Sequence, residues 1–387
     1  MDNKFELDLT LLSQELKLLL ELLKEENEEN IQRNQKELFS KIDWAYFLHL
    51  ARHHRVYPLI YVRLKKIEEG IVPKKVIETL YQEYKRNTLQ MLQLSAEMEK
   101  ISKVFTANEI RLLFLKGPVI AYDLYGDISL RTSKDLDILV SVTDLEEVER
   151  LLLSMGYERG ENPTVLNERK WRHNHIAYLH SNKLIQIEIH WSLHPRPMKE
   201  PSFNELWGRR RISSLTSYPV PLLGEEDLFL FLVAHGARHG WFRLRWLKDI
   251  DQMIRKREEF AEIYALLKRY EYYFALGQAL ILTSQLFQTP LNTELRTLAE
   301  RKRSRKVAGK IYLDIRNSKE QPCYRSHLFA LENGLQKFIF MIILFYPCST
   351  DMETLRLPKP LHFLYFPLRP FLWTWRKTKR FISSAVG

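Results

Sequence analysis

The last six residues of the stretch LLFLKGPVIAYDLYGDISLRTSKDLDILV (112–140) constrain this chain more than any other part of it. Asp135-Leu136-Asp137 runs into the apolar Ile138-Leu139-Val140, a pattern that reads as a buried β-strand. Side chains two apart on a strand share a face. Asp135 and Asp137 would therefore project together, roughly 6–7 Å apart, with Leu136 and Ile138 pointing the other way. Two carboxylates on an otherwise apolar strand are costly unless a cation or hydrogen-bond donors compensate them. The pair reads as a divalent-metal site.

A chain of 387 residues is long enough for two or three domains with cores of their own. Its 59 Lys and Arg against 48 Asp and Glu leave a net charge of +11, a bias toward an anionic partner such as a nucleotide, a nucleic acid or a membrane surface. Cys323 and Cys348 form no CxxC or Cys/His spacing, which speaks against a disulfide framework or a structural zinc site. The opening MDNKFELDLT is polar and acidic where a secretory leader is basic and then apolar, so a cytoplasmic protein is expected. Phe338 to Tyr346, the most apolar run, is stopped by Pro347 and is far shorter than the ~20 residues of a membrane-spanning helix.

Up to about residue 105 the apolar residues recur at helical spacing: Ile77, Leu80, Tyr81 and Tyr84, then Met91, Leu94, Met98, Ile101 and Phe105. These positions read as core. Ile110 to Leu115 is a short buried strand, and Lys116-Gly117-Pro118 opens a helix to about Leu124. The first-turn amides there, with Lys116 beside them, could receive a phosphate; an ordinary strand-to-helix turn reads the same way. After the Asp strand, Thr143-Asp144-Leu145-Glu146 has the form of a capping box, and Gly156 of a helix stop.

A hairpin follows, from His173 to His180 and from Lys183 to Trp191, joined by Ser181-Asn182. In its second arm Ile185, Ile187 and Ile189 face the core, while Gln186, Glu188 and His190 share the other face. Glu188 is either a third carboxylate beside the Asp strand or an ordinary wet-face residue. Beyond Gly224 a helical block sets Leu228, Phe231, Leu232 and His235 on one face. His235 and His239 stand four apart, but Gly236 replaces the Glu of an HExxH zinc site. Arg238, Arg243, Arg245 and Lys248 interleave with Trp241, Phe242 and Trp246, either as a basic aromatic surface for phosphates or bases or as a solvated helix face over core tryptophans. Another helix spans about Arg325 to Phe345. The final PLHFLYFPLRPFLWTWRKTKRF is expected to pack on the body, because Pro360, Pro367 and Pro370 interrupt an amphipathic helix; peripheral membrane contact is the other reading.

A strand, a Gly-containing turn into a helix, an Asp-x-Asp strand and a third acid on a later strand resemble the nucleotidyltransferase fold of the DNA polymerase β superfamily. Within it the chain is most similar to the uncharacterised nucleotidyltransferase family of bacteria. The resemblance is carried by Lys116-Gly117, Arg131, Asp135-Leu136-Asp137, Glu188-Ile189-His190-Trp191, His235 to His239 with Leu244 to Asp249, and Leu368-Arg369-Pro370. It implies an α+β fold, in which a small mixed β-sheet with flanking helices (108–200) lies between an N-terminal helical region (1–107) and a C-terminal helical domain (201–387). It also implies that Asp135, Asp137 and Glu188 bind Mg²⁺, or Mn²⁺, and carry catalysis. Lys116, Gly117 and Arg131 would bind the phosphates of a nucleoside triphosphate such as ATP, and His190, His235, His239, Arg243 and Asp249 would line the acceptor's cleft. The superfamily usually has Gly-Ser at the turn where this chain has Gly117-Pro118, so phosphate binding falls to the amides beyond Pro118 and to Lys116 or Arg131.

The implied reaction moves a nucleoside monophosphate from an NTP to a hydroxyl or phosphate of an unidentified small molecule, saccharide or peptide, with no DNA duplex as partner. Two other readings remain. A metal-dependent glycosyltransferase uses Asp-x-Asp to hold a nucleotide-sugar, but in its common fold strands precede the motif. A catalytically degenerate nucleotidyltransferase would serve as a nucleotide-binding scaffold.

Overall fold

A computed structural model of the chain describes residues 5–25, 27–160, 174–318, 328, 331 and 333–386. Among the described residues no strand precedes Leu112, which sets the chain apart from a fold with a nucleotide-sugar half ahead of its Asp-x-Asp strand. The helices α1 (Gln14–Leu23), α2 (Glu28–Arg33), α3 (Gln35–Leu38), α4 (Trp44–His53), α5 (Tyr57–Leu64) and α6 (Lys74–Ala107) come first. The 34 residues of α6 contain neither Gly nor Pro. Leu80 and, seven residues on, Asn87 are buried along it, and Met91, Leu94, Met98, Ile101 and Phe105 continue at alternating spacings of four and three, the repeat that keeps one stripe facing a core. Tyr81, expected in that core, is 43% exposed, because it lies a quarter-turn off the stripe from Leu80. Asn87 is the polar member of the stripe. Its side-chain amide donates to the carbonyls of Ser129 (2.8 Å) and Arg131 (3.4 Å), while Tyr84 and Ser129 share a hydroxyl contact of 2.6 Å. The long helix thus holds the segment that leads into the Asp strand.

The strands are β1 (Leu112–Phe114), β2 (Asp135–Val140), β3 (Glu158–Arg159), β4 (His175–His180), β5 (Ile185–His190), β6 (Arg211–Ser213) and β7 (Val220–Leu222), with helices α7 (Pro118–Tyr125), α8 (Leu145–Ser154) and α9 (Phe203–Gly208) between them. They form one mixed sheet in the order β3-β4-β5-β2-β1-β7-β6. β2 lies at its centre, antiparallel to β1 and parallel to β5. A strand flanked on both sides must be apolar on at least one face, and Leu136, Ile138 and Val140 are fully buried. The architecture is the expected α+β one, a mixed sheet between N-terminal and C-terminal helices.

Gly117 joins β1 to α7 with φ +93°, and a Cβ there would lie 3.3 Å from Leu136 Cδ2. The turn needs glycine for its left-handed backbone and for its close approach to the Asp strand. Pro118 takes the first helical position, as expected.

Two local expectations give way. Thr143 caps nothing: Ser141 caps a 3₁₀ turn over Val142–Asp144, the Thr143 hydroxyl is spent on Ser141 (2.7 Å) and Asp144 (2.9 Å), and α8 starts at Leu145. Gly156 does follow the end of α8 with φ +89°. The hairpin turns over four residues rather than two, since the amides of Lys183 and Leu184 both bond His180 O (3.2 and 2.8 Å). His173, where its first arm was expected to begin, lies outside the described residues.

The helices α10 (Glu225–Arg238), α11 (Leu244–Arg255), α12 (Ala261–Tyr270), α13 (Tyr273–Phe287), α14 (Thr293–Ala299) and α15 (Lys302–Arg316) follow. The expected basic aromatic surface is interior. Trp241, Phe242 and Trp246 are buried, and so are Arg245 and Lys248, the latter paired with Asp251 (2.7 Å) and Glu25 (2.8 Å). The solvated-face alternative placed the tryptophans rightly and the cations wrongly. One apolar core runs from Leu12 to Ile315 and draws on the N-terminal helices, the sheet and the later helices together.

The tail forms α16 (Gly334–Leu344), α17 (Ser349–Thr354) and α18 (Tyr365–Val386). Arg325, the expected start of α16, and Cys323 lie outside the described residues. The prolines do not break α18: Pro367 falls in the first turn, whose amides have no intrahelical acceptor, and Pro370 forfeits one bond. Arg369 donates to Leu344 O (2.7 Å) and pairs with Asp351, which also holds Arg376 at 2.6 Å. Of the tail's aromatic residues Tyr365 packs away as expected, whereas Phe371 (72%) and Trp375 (64%) are exposed. No helix among the described residues is long and apolar enough to cross a membrane.

Candidate functional site

Parallel pairing of β2 with β5 sets Asp137 directly opposite Glu188 and Leu139 opposite His190; antiparallel pairing of β4 sets His175 opposite His190. Alternation then brings Asp135, Asp137, Glu188 and His190 to one face of the sheet. Asp137 is buried. Its Oδ1 accepts from Lys116 Nζ (2.8 Å) and His190 Nε2 (3.2 Å), while its Oδ2 is buried with no hydrogen-bond partner. His190 Nε2 also lies 3.5 Å from Glu188 Oε2, and His175 Nε2 approaches that same oxygen at 3.7 Å. Asn174 holds both rings from behind, with its amide 3.4 Å from His190 Nδ1 and its Oδ1 3.2 Å from His175 Nδ1.

The electrostatics follow from this crowding. Burial and the neighbouring Asp137 carboxylate push Asp135 up to about 6. Asp137 also feels burial, but Lys116 and His190 outweigh it and hold the carboxyl well below the usual range. Burial would lower His190, yet its hydrogen bonds to Asp137 and Glu188 raise it. His175 drops to about 4 through burial and the charge of His190. For Glu188 the His190 bond overcomes burial and lowers the carboxyl. Asp137 thus ionises far more readily than its neighbour Asp135, as two acids crowded on one face must differ.

The residues fit a divalent cation. The orphaned Asp137 Oδ2 is a buried acceptor without a donor, and such an atom is costly unless something fills it. Asp135, Asp137 and Glu188 offer oxygens of the kind hard cations take. His175, Glu188 and His190 form a second donor set whose ligand atoms all lie within 4.8 Å of one another.

The other expected residues divide. Lys116 reaches the carboxylates, and Gly117 shapes the turn against β2. Arg131 is spent elsewhere: its fork grips both oxygens of Asp249 at 3.0–3.2 Å, Tyr125 donates to the same carboxylate at 2.9 Å, and the pair is buried. Arg131 and Asp249 therefore form a strut from the approach to β2 across to α11. The rings of His235 and His239 meet at a tilt with centroids 4.5 Å apart, and His239 stacks on Trp246 at 5.2 Å. Burial, with Lys116 next, holds His235 well below its ordinary value, so His235 stands neutral. Arg243 packs over Phe242, its guanidinium 4.9 Å from the ring centroid. His175, Asn174 and Arg55 went unread in the sequence. Only His175 had a signal, as the cross-strand partner that a correct hairpin register gives to His190.

Comparison with known proteins adds three findings. No curated protein matches the chain. A crystal structure of an antigenic nucleotidyltransferase-like protein from Paracoccidioides brasiliensis is similar at 14% identity, over 52% of this chain and 95% of that one, with a TM-score of 0.31. The model of a family described as uncharacterised nucleotidyltransferase matches residues 40–288, a span that holds every strand of the sheet and each site residue named above. The chain belongs to that uncharacterised nucleotidyltransferase family.

Proposed function

We propose that the chain transfers a nucleoside monophosphate from an NTP to a hydroxyl or phosphate oxygen of an acceptor, with a divalent cation held by Asp135, Asp137 and Glu188. The observation that carries this reading is the in-register pairing of Asp137 with Glu188 beside Asp135, with a buried carboxylate oxygen left unfilled. When bound, the cation would activate the acceptor oxygen and neutralise the phosphates. The chain's own groups do the rest. Asp135, raised to about 6, is mostly ionised at neutral pH and would offer its oxygens to the cation. His190 orients Asp137 and Glu188 from within the sheet, and Lys116 supplies a charge against the phosphates as their negative charge shifts in the transition state.

Three carboxylates suit Mg²⁺ and Mn²⁺ alike, both being ions that take oxygen donors. Replacing Mg²⁺ by Mn²⁺ is therefore expected to sustain transfer. Asp137→Asn should abolish metal-dependent transfer of a labelled nucleotide while leaving the circular-dichroism spectrum unchanged; full activity in that variant would rule the assignment out. The donor is identified by which NTP raises the melting temperature in the presence of the cation, since a ligand that binds only the folded state must stabilise it.

A further inference from the structure

We infer that Arg55, Arg243 and Arg245 form a binding site for a phosphate chain beside Asp135. The inference rests on the nucleotidyl-transfer reading only for the origin of that phosphate. Among the described residues no carboxylate pairs with any of the three guanidiniums, although Arg245 is only 8% exposed and Arg55 and Arg243 are half-buried. The Nε atoms of Arg243 and Arg245 are buried without a hydrogen-bond partner. Asp249, the nearby acid, is saturated by Arg131 and Tyr125. Asp135 faces the charges of both Arg55 and Arg245. Burial lowers all three arginines, and the charge of Arg55 adds to it for Arg243 and Arg245. Like charges gathered in a partly buried place are unfavourable unless an anion completes them.

The backbone shows how the cluster is held together. α4 ends in a Schellman motif: the amide of Val56 bonds Ala51 O (3.0 Å) and that of Arg55 bonds Arg52 O (3.0 Å), with Arg55 at φ +55°. Glycine is the usual residue there, so arginine is kept at a conformational cost. His54, just before it, locks the motif to α11, its carbonyl accepting from the Arg245 amide (3.3 Å) and its Nδ1 from the Leu244 amide (3.4 Å). Arg245 in turn donates to the carbonyl and hydroxyl of Thr132, three residues before Asp135. The N-terminal helices thus deliver a strained cation to the carboxylate end of β2. A guanidinium fork matches phosphate oxygens in pairs, and three forks match a polyphosphate or a phosphate ester flanked by other anions.

The test is calorimetric titration of the full chain with inorganic tripolyphosphate, without metal and at low ionic strength. The wild type should bind, and Arg55→Gly and Arg243→Gln should each weaken binding by at least about tenfold, the worth of one charge-assisted hydrogen bond. Arg55→Gly has a melting temperature no lower than wild type, because glycine suits the left-handed position; Arg243→Lys keeps the charge if Arg243→Gln does not fold. Competition separates the sources: displacement by ATP alone assigns the site to the donor, and displacement by glucose 6-phosphate alone assigns it to the acceptor. No binding, no loss in the arginine variants, or displacement by neither competitor overturns the inference. The measurement involves neither metal nor turnover, so it can fail while nucleotidyl transfer stands.

The tail carries a second and independent inference. We propose that α16 and α18 dock on an anionic lipid surface. Every exposed Phe and Trp among the described residues lies between 338 and 375. On α16, Leu335, Phe338, Ile342 and Phe345 form one exposed stripe at helical spacing. Residues 355–387 hold seven Lys or Arg and no Asp or Glu, two of the seven (Arg369 and Arg376) pairing with Asp351, and Lys377 sits 5.0 Å over the Trp373 ring. A second copy would bring like charges together, whereas a lipid surface with negative headgroups takes both the aromatic rings and the cations. Sedimentation with phosphatidylcholine vesicles containing phosphatidylserine should carry the protein down, far less so with phosphatidylcholine alone or in high salt, and Phe338→Ser with Trp375→Ser should release it. Absence of binding, binding indifferent to these substitutions, or a dimer that ignores vesicles overturns the proposal.

Discussion

Arg131 shows how one buried contact can turn a residue from ligand to strut. A bidentate pair sealed from water loses little by existing but a great deal by losing one partner, because the survivor is then an uncompensated buried charge. Arg131→Met or Asp249→Leu alone should cost about 3–5 kcal/mol in urea denaturation, and the double variant should recover most of it. A loss below about 1 kcal/mol in either single variant would contradict the strut. Glu200 offers a test by pH. Burial pushes its carboxyl up to about 7 even though it accepts the His194 amide at 2.8 Å. A raised acid contributes stability fully present below its ordinary value of 4.5 and lost as pH rises through about 7. Wild type should therefore lose melting temperature relative to Glu200→Gln across that window, and a difference that ignores pH would show that Glu200 is not shifted. At this scale the sequence revealed which groups are acidic and where they alternate. It did not reveal their partners, because Arg131 and Asp249 are 118 residues apart and nothing local marks the pair.

Among the elements, α6 and the β4–β5 hairpin do most to place the site. Asn87→Leu on α6 removes the donor to the Ser129 and Arg131 carbonyls and leaves both buried. We expect about 1–3 kcal/mol of destabilisation by denaturant titration, with a fall in transfer rate as the approach to β2 loosens. An unchanged midpoint would mean the carbonyls find other donors. The central Asp strand, its Gly117 turn and the alternation of β5 were all legible, since each is a short-range pattern. The hairpin was legible as a hairpin but not in register. A two-residue turn places His173 across from His190, whereas the actual turn, with Leu184 at φ +55°, places His175 there. Ser181-Asn182 carries a turn signal, but nothing in the residues says that Leu184 will adopt a left-handed backbone. That one shift hid a member of the metal-donor set. Burial of Trp241, Phe242 and Trp246 was hidden differently, because a helix interleaving cations with aromatics reads alike whichever face is covered.

At the scale of the whole molecule, the core is continuous from Leu12 to Ile315, and the proposed phosphate site would draw Arg55 from the N-terminal helices and Arg245 from α11 to the Asp135 end of the sheet. We propose that regions 1–107, 108–200 and 201–387 are sequence divisions that fold as one unit. A fragment of residues 108–200 should show no cooperative thermal transition; a sharp one would make the sheet an autonomous domain. The helical, sheet and helical order was visible from periodicity, while their mutual burial was not, because contacts between distant segments leave no periodic trace.

The pairing of β2 with β5 has a consequence for how the gene can vary. Because Asp137 meets Glu188 through ladder bonds rather than through the intervening chain, the number of residues between the two strands does not by itself set where either carboxylate stands. A single codon deleted within residues 185–190 inverts the phase of the strand and turns the glutamate toward the isoleucine side. Natural length variation should therefore collect between the two strands and stop at the edge of β5.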